Sequence, residues 1–153
     1  MLRLSKKADY ALIAMKHLAV RGDRRSQASS SAREIAELYD IPIELMAKVL
    51  QRLVRGGLLA SHQGTRGGYQ LARMPSQISV ADVIQAIDGP VTVTACSTDD
   101  GQCEQFAKCN VRDPLWRVRE CILTALGECT IAELAADPPP PATAQPAVLH
   151  THI

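Results

Sequence analysis

The chain has 153 residues, 46% hydrophobic and 22% charged, with a formal net charge of +1, which predicts one soluble globular domain or a small domain with an arm. It has no apolar run of about 18 residues and no signal-peptide pattern at its start, so we expect a cytoplasmic protein without a membrane span. Residues 1–73 carry 13 basic and 6 acidic side chains and residues 74–153 carry 4 and 10, which indicates that the first half meets a polyanion.

The start of the chain predicts two helices. Residues 5–20 have apolar side chains at helical spacing, and Ser5 stands where an N-cap belongs. Ser31 and Glu34 match the S-x-x-E capping box, which predicts a short helix with the sequence AREIAELY. Pro42 ends this helix, because proline disfavours helical backbone at the residue before it.

A third helix and a hairpin complete the basic half. The helix, IELMAKVLQRLVRG, follows the proline at once, and Gly56 and Gly57 end it. Two helices with so short a break between them predict a helix-turn-helix. The runs LLASH and YQLAR, on either side of the tip QGTRGG, predict a β-hairpin. This order of elements predicts a winged helix-turn-helix, a mainly α fold with one small hairpin.

The acidic half predicts three more helices. Ser79 caps VADVIQAIDG, and Pro114 suits the first turn of PLWRVRECILTALG, a long helix with an apolar face. Thr130 and Glu133 form another capping box, for a short final helix. The Pro/Ala-rich end, DPPPPATAQPAVLHTHI, is predicted to be disordered.

Three of the five cysteines, Cys96, Cys103 and Cys109, lie within the stretch CSTDDGQCEQFAKC. In a reducing cytosol, closely spaced thiols are more often metal ligands or redox groups than structural disulfides. Thiolates suit iron–sulfur clusters and zinc, but structural zinc sites usually show two close cysteine pairs. The wider spacing favours an iron–sulfur cluster, with zinc or a thiol switch as the alternative. Cys121 and Cys129, in or near the long helix, are left out of this site.

These segments resemble a known family. RLSKKADYALIAM, IELMAKVLQRLVRGGLL, HQGTRGGYQLAR and VADVIQAIDG, with the three-cysteine loop followed by PLW, are similar to the Rrf2 family of bacterial winged-helix repressors over about residues 1–136. The first segment looks most like regulators of the SUF iron–sulfur assembly operon. The resemblance implies a homodimer that pairs through its long C-terminal helices and represses transcription.

The resemblance also bears on the ligands of a cluster. In IscR-like members a histidine three residues after the last cysteine is the fourth ligand, but this chain has Arg112 there. In NsrR-like members an aspartate in the partner's first helix completes the site, and Asp9 matches it. An acidic residue there also suits the helix dipole. The implied ligands of a 2Fe–2S or 4Fe–4S cluster are Cys96, Cys103, Cys109 and Asp9.

The third helix is expected to enter the major groove of double-stranded operator DNA. Gln51 and Arg52 are candidates for base edges and Lys48 for a phosphate, while Arg66 at the wing tip is expected to reach the minor groove. Each of these charges could also be ordinary solvated surface. The expected DNA-contacting residues are Ser5, Lys6, Lys7, Glu44, Lys48, Gln51, Arg52, Arg55, Thr65, Arg66 and Gly67.

The predicted organisation has four parts. They are a winged helix-turn-helix (1–90), a cysteine segment (91–113), a dimerisation helix with a short terminal helix (114–136) and a disordered tail (137–153). Without a nucleophile–base constellation or a phosphate-binding glycine loop, we expect no enzyme and no small-molecule substrate. The expected mechanism is a switch in which cluster occupancy or redox state changes the affinity for the operator.

Overall fold

The computed structural model describes residues 3–24, 29–65, 67–93 and 103–136. Within these ranges the chain forms helices and one two-stranded antiparallel sheet, with a single 3₁₀ turn at Pro75–Gln77. No described helix is both long and apolar enough to cross a bilayer. The elements are α1 (Lys6–Arg24), α2 (Ala32–Leu38), α3 (Ile43–Arg55), β1 (Leu59–His62), β2 (Gly68–Leu71), α4 (Val80–Asp88), α5 (Arg112–Glu128) and α6 (Ile131–Ala136).

Local hydrogen bonds begin the helices where the sequence predicts. The Ser31 hydroxyl accepts from the Glu34 N–H at 3.1 Å, and the Glu34 carboxylate accepts from the Ser31 N–H at 2.7 Å. This reciprocal pair satisfies two N–H groups that the helix itself leaves without partners. The same arrangement is present for Ser79 with Asp82 and for Thr130 with Glu133.

The core forms around α1, which contacts α3, α4, α6 and β2. Ala8, Ala11 and Ala14 are completely buried on α1, and side chains this small let neighbouring helices approach closely. Leu50 of α3 and Ile131 of α6 are completely buried in the same cluster. The chain therefore returns to the N-terminal core after α5, and α6 is part of that core.

The wing is an antiparallel hairpin in the register Leu59↔Leu71 to His62↔Gly68. A third segment joins it, since Ser30 pairs with Tyr69 through two backbone hydrogen bonds of 3.0 and 2.8 Å. The predicted winged helix-turn-helix is confirmed.

Helix α5 begins two residues before the proline that was expected to open it. Pro114 still lies in the first turn, where the N–H that it lacks would have no helical partner. None of the side chains of α5 is buried, and Leu115, Trp116 and Val118 are 36%, 49% and 46% exposed. An apolar stripe on a long helix is thus uncovered in the single chain.

Leu50→Ala tests the position of the core. It removes a completely buried side chain and leaves a cavity, so we expect a loss of about 2–5 kcal/mol in the free energy of unfolding. Leu38→Ala is the matched control, because Leu38 is 61% exposed, and we expect a change within about 0.5 kcal/mol. Urea unfolding measures both, and equal losses would contradict the assignment of the core.

Candidate functional site

Helix α3 buries four of its apolar side chains along one face, while Ile43 at its start is exposed. Met46, Val49, Leu50 and Leu53 face the core. The opposite face is exposed and carries Glu44, Lys48, Gln51, Arg52 and Arg55, the five residues of α3 predicted to contact DNA. A helix anchored along one side with donors and cations on the other can enter a groove of a nucleic acid.

A groove of about 580 Å³ separates α3 from the wing. Gln51 and Arg55 line its helix side, and His62, Gly67 and Tyr69 are among the residues that line its wing side. His62 was not predicted at this surface, because the sequence alone does not tell which face of a short hairpin turns toward a helix. Arg66, the predicted minor-groove residue, lies outside the described residues, and the adjacent Thr65 is exposed at the tip.

Gly67 is needed by the hairpin itself. Its N–H donates to the Gly64 carbonyl at 2.9 Å. A Cβ added at this position would lie 2.5 Å from the carbonyl oxygen of His62, closer than real Cβ contacts come. A glycine at the tip is therefore required for the turn, whether or not DNA approaches it.

Arg52 makes an internal contact as well as belonging to the exposed face of α3. Its Nη1 donates to the carbonyl oxygen of Ile87 at 2.7 Å, in the last turn of α4. Carbonyls at a helix C-terminus lack helical partners and carry partial negative charge, so a guanidinium binds them well. The two residues are 35 positions apart in the chain, and no local pattern could have predicted their contact.

Ser5 binds the same end of α4. Its hydroxyl donates to Oδ1 of Asp88 at 2.8 Å and accepts from the N–H of Ala8 at 3.1 Å, which caps α1 as predicted. A phosphate contact by Ser5 would have to compete with Asp88 for the hydroxyl proton. The neighbouring Lys6 and Lys7 are exposed. The C-terminus of α4 is thus bonded to both α1 and α3.

Basic side chains from two helices meet beside this junction. Lys7 of α1 and Lys48, Arg52 and Arg55 of α3 line a cleft of about 190 Å³, with Ile87 at its side. Four cations around one cleft raise the local positive potential, which favours a phosphate backbone.

The cysteine segment is described in part. Cys96 lies outside the described residues, while Cys103 and Cys109 are half-buried, free cysteines. A turn begins at Cys103, whose carbonyl accepts from the Phe106 N–H at 3.0 Å. In the described part of the chain, no three His, Cys, Asp or Glu side chains converge to hold a metal ion. Asp9 is exposed in the first turn of α1.

Arg112 closes the turn between the two cysteines. Its guanidinium lies over the Phe106 ring, 4.5 Å from the centroid, and its Nη1 donates to the Phe106 carbonyl at 3.3 Å. Its Nε also donates to the Asp113 carboxylate at 3.1 Å. Because a guanidinium has no lone pair to offer a metal, this position supports the segment and supplies no ligand.

Comparison with known proteins agrees with this geometry. A family model described as Rrf2, iron-dependent transcriptional regulator, matches residues 4–137. The chain is 33% identical to a putative HTH-type transcriptional regulator of Mycobacterium tuberculosis, over 94% of this chain and 88% of that protein. It is 33% identical to the regulator IscR of Xenorhabdus nematophila (87% and 79% covered) and 30% identical to the repressor NsrR of Streptomyces coelicolor (92% and 93%).

Solved structures extend the likeness to three dimensions. CymR, the global cysteine regulator of B. subtilis, superposes with a TM-score of 0.72 at 27% identity, covering 88% of this chain and 97% of that one. The T. potens protein IscR superposes with a TM-score of 0.69, also at 27% identity, covering 95% and 94%. Both superpositions cover most of this chain.

Proposed function

The chain belongs to the Rrf2 family of DNA-binding transcriptional regulators, and we propose that it is a repressor whose DNA affinity depends on an iron–sulfur cluster held by its cysteine segment. One observation carries the sensing part of the proposal. The segment follows the C-terminus of α4, and that C-terminus is bonded to both α3 and α1. A change in the segment therefore has a short physical route to the DNA-facing surface.

Helix α3 is the proposed reader of the operator. Gln51 projects an amide that can bond a base edge, while Lys48 and Arg55 are placed to bind the flanking phosphates. Lys7 adds a cation from the start of α1 to the same cleft. The wing would lie over the neighbouring backbone, with Thr65 and Gly67 at its tip.

The proposed active form is a homodimer. The stripe of Leu115, Trp116 and Val118 on α5 is apolar and exposed, and pairing two copies of α5 would remove it from water. A dimer would present two α3 helices to half-sites about one helical turn, roughly 34 Å, apart on the duplex. This arrangement accounts for a long helix with no buried side chain of its own.

The proposed ligands are Cys96, Cys103 and Cys109, with Asp9 of the partner subunit completing the set. The donor chemistry fits, because thiolates are the soft ligands that such clusters prefer, and Cys103 and Cys109 are free cysteines. When bound, a cluster would supply a group that oxidants, nitric oxide or iron shortage can remove. Membership of the subgroup that regulates the SUF operon stays a prediction.

We propose that contacts at the end of α4 transmit the state of the cysteine segment to α3 and α1. Binding of a cluster to the cysteine segment would constrain the chain that follows Gly89, where the backbone adopts a positive φ of 81°. Ile87 and Asp88 would move with that change, and Arg52 and Ser5 are bonded to them. The positions of α3 and α1 relative to DNA would therefore depend on the state of the segment.

The thiols themselves are the basis of a second candidate function. CymR is a global cysteine regulator with the same fold, and Cys103 and Cys109 are free and partly accessible. A regulator of this kind would respond to thiol oxidation or to zinc without an iron–sulfur cluster. Its DNA-binding surface would be the same.

The visible spectrum of protein purified without oxygen separates the two candidates. We expect a brown protein that contains iron and sulfide, and we expect Cys96→Ala, Cys103→Ala and Cys109→Ala each to lose the colour. Cys121→Ala is the matched control, since Cys121 is exposed in α5 outside the segment, and it should keep the colour. A colourless protein with about one zinc per chain, or with no metal, would favour the second candidate.

Asp9→Ala tests the fourth ligand. If the carboxylate of the partner's Asp9 binds the cluster, the variant should show a shifted spectrum and lose its cluster faster in air. The fold should hold, because the Ser5 cap that begins α1 is unaffected. A spectrum, a cluster lifetime and a cluster-dependent DNA affinity all equal to wild type would remove Asp9 from the ligand set.

Arg52→Gln and Arg55→Gln together test the transmission route. Both remove one cation from the same face of α3, so both should weaken DNA binding in cluster-loaded and cluster-free protein. Only Arg52 is bonded to α4 among the described contacts of these two residues. We therefore expect Arg52→Gln to bring the ratio of the two affinities toward one and Arg55→Gln to leave it unchanged. Equal ratios in both variants would contradict the route.

A further inference from the structure

Four polar side chains, two of them on α1, form a connected series of hydrogen bonds. Nη1 of Arg21 donates to the Ser30 hydroxyl at 3.1 Å, and Nε2 of His17 lies 3.3 Å from the same oxygen. Nδ1 of His17 lies 3.1 Å from the Tyr39 hydroxyl, and the two rings meet edge to face with centroids 5.6 Å apart. These four side chains link α1 with the segment before α2 and with the turn that precedes α3.

Ser30 is also part of the wing. It is completely buried, and its backbone N–H and carbonyl both bond Tyr69 of β2. Gly68 packs so tightly on it that an added Cβ would lie 2.7 Å from the Ser30 carbonyl oxygen. Tyr69 and Gly68 line the groove that faces Gln51 and Arg55. The hold on Ser30 therefore sets the position of one edge of the wing relative to α3.

Every donor among these four bonded groups has an acceptor only when His17 is neutral. The buried Ser30 hydroxyl already accepts from Arg21, so its own hydrogen needs an acceptor, and Nε2 of His17 is within reach. Nδ1 then carries the hydrogen and donates to Tyr39. The pKa of His17 is lowered, first by burial and then by the Arg21 guanidinium, while Glu34 of α2 acts in the opposite direction. Burial raises the pKa of Tyr39, so this hydroxyl stays protonated.

We propose that His17, together with Arg21, is a positioning residue for the wing, and that a proton on His17 releases Ser30 and weakens DNA binding. A protonated Nε2 would point its hydrogen at the Ser30 hydroxyl and place an imidazolium beside the Arg21 guanidinium. The buried hydroxyl would lose its acceptor, and the two cations would repel each other. The proposal rests on the DNA-binding part of the proposed function and does not involve the cluster.

The direction of the pH effect follows from the lowered pKa. An imidazole with its usual pKa of about 6.5 takes up a proton below that pH. In the intact structure the pKa of His17 is lower, so protonation favours the form in which the bond to Ser30 is broken. The hydrogen bond between Ser30 and His17 is therefore fully formed above that pH and is lost as the pH falls toward the lowered pKa of His17.

The test uses a duplex that the wild-type protein selects from a random-sequence library. His62 is a second imidazole and lines the groove beside the wing, so the parent protein carries His62→Gln to leave His17 as the histidine under test. We expect the parent to bind the duplex about fivefold more weakly near pH 5.5 than near pH 7.5, the scale of one lost buried hydrogen bond. The parent with His17→Gln should bind equally at both, because the amide can accept from Ser30 and does not titrate. The cysteine segment is identical in both proteins, so its own response to pH cancels.

Two further measurements test the bond between His17 and Ser30 directly. The Tyr69 amide, which donates to the Ser30 carbonyl, should shift in NMR spectra with the midpoint of the His17 ring in the parent and stay constant with His17→Gln. Arg21→Gln removes the neighbouring cation, so it should move that midpoint to higher pH, even if His17→Gln fails to fold. An unresponsive Tyr69 amide, or an equal pH response of affinity with and without His17, would overturn the proposal. Failure to select any duplex would refute DNA binding instead, while the NMR titration would still decide whether His17 holds Ser30.

Discussion

The close packing of α1 against α3, α4, α6 and the wing is the constraint on which the other features depend. It is possible because the buried face of α1 carries Ala8, Ala11 and Ala14, which let several elements approach one helix. A larger side chain there would push elements apart and change the angle of α3. Polar side chains at the start of α1 and in its second half also bond neighbouring elements. Ser5 binds the end of α4, and His17 and Arg21 hold Ser30 of the wing edge.

The proposed DNA-binding surface and the internal contacts of the protein share residues. Arg52 lies on the polar face of α3 and also donates to the end of α4. Its guanidinium contributes positive charge to the cleft, but Nη1 already donates a hydrogen bond within the protein. Ser5 is in the same position, since its hydroxyl already donates a hydrogen bond to Asp88. In the proposed function, a contact of Arg52 with DNA and its contact with α4 would involve the same side chain.

The winged helix-turn-helix and the region of α5 with the cysteine segment differ in how much of their apolar surface a single chain buries. The winged helix-turn-helix has its own core, to which Ile131 of α6 contributes. Helix α5 has an uncovered apolar stripe, and the described part of the cysteine segment holds two of its three thiols, braced by Arg112. The proposed dimer and cluster belong to this less complete part. A regulator can respond to a signal where its structure is stabilised by what it binds.

Local spacing in the sequence was sufficient for the helices, the capping boxes at Ser31 and Thr130 and the hairpin, because each depends on residues within a turn or a pair of strands. The family resemblance and the exposed residues of α3 could also be derived from the sequence. The bonds of Arg52 to Ile87 and of Ser5 to Asp88 could not, since their partners are 35 and 83 positions apart. The same holds for the contact of Ser30 with His17. Such pairs depend on the angles at which helices pack, and those angles are decided by the whole core at once.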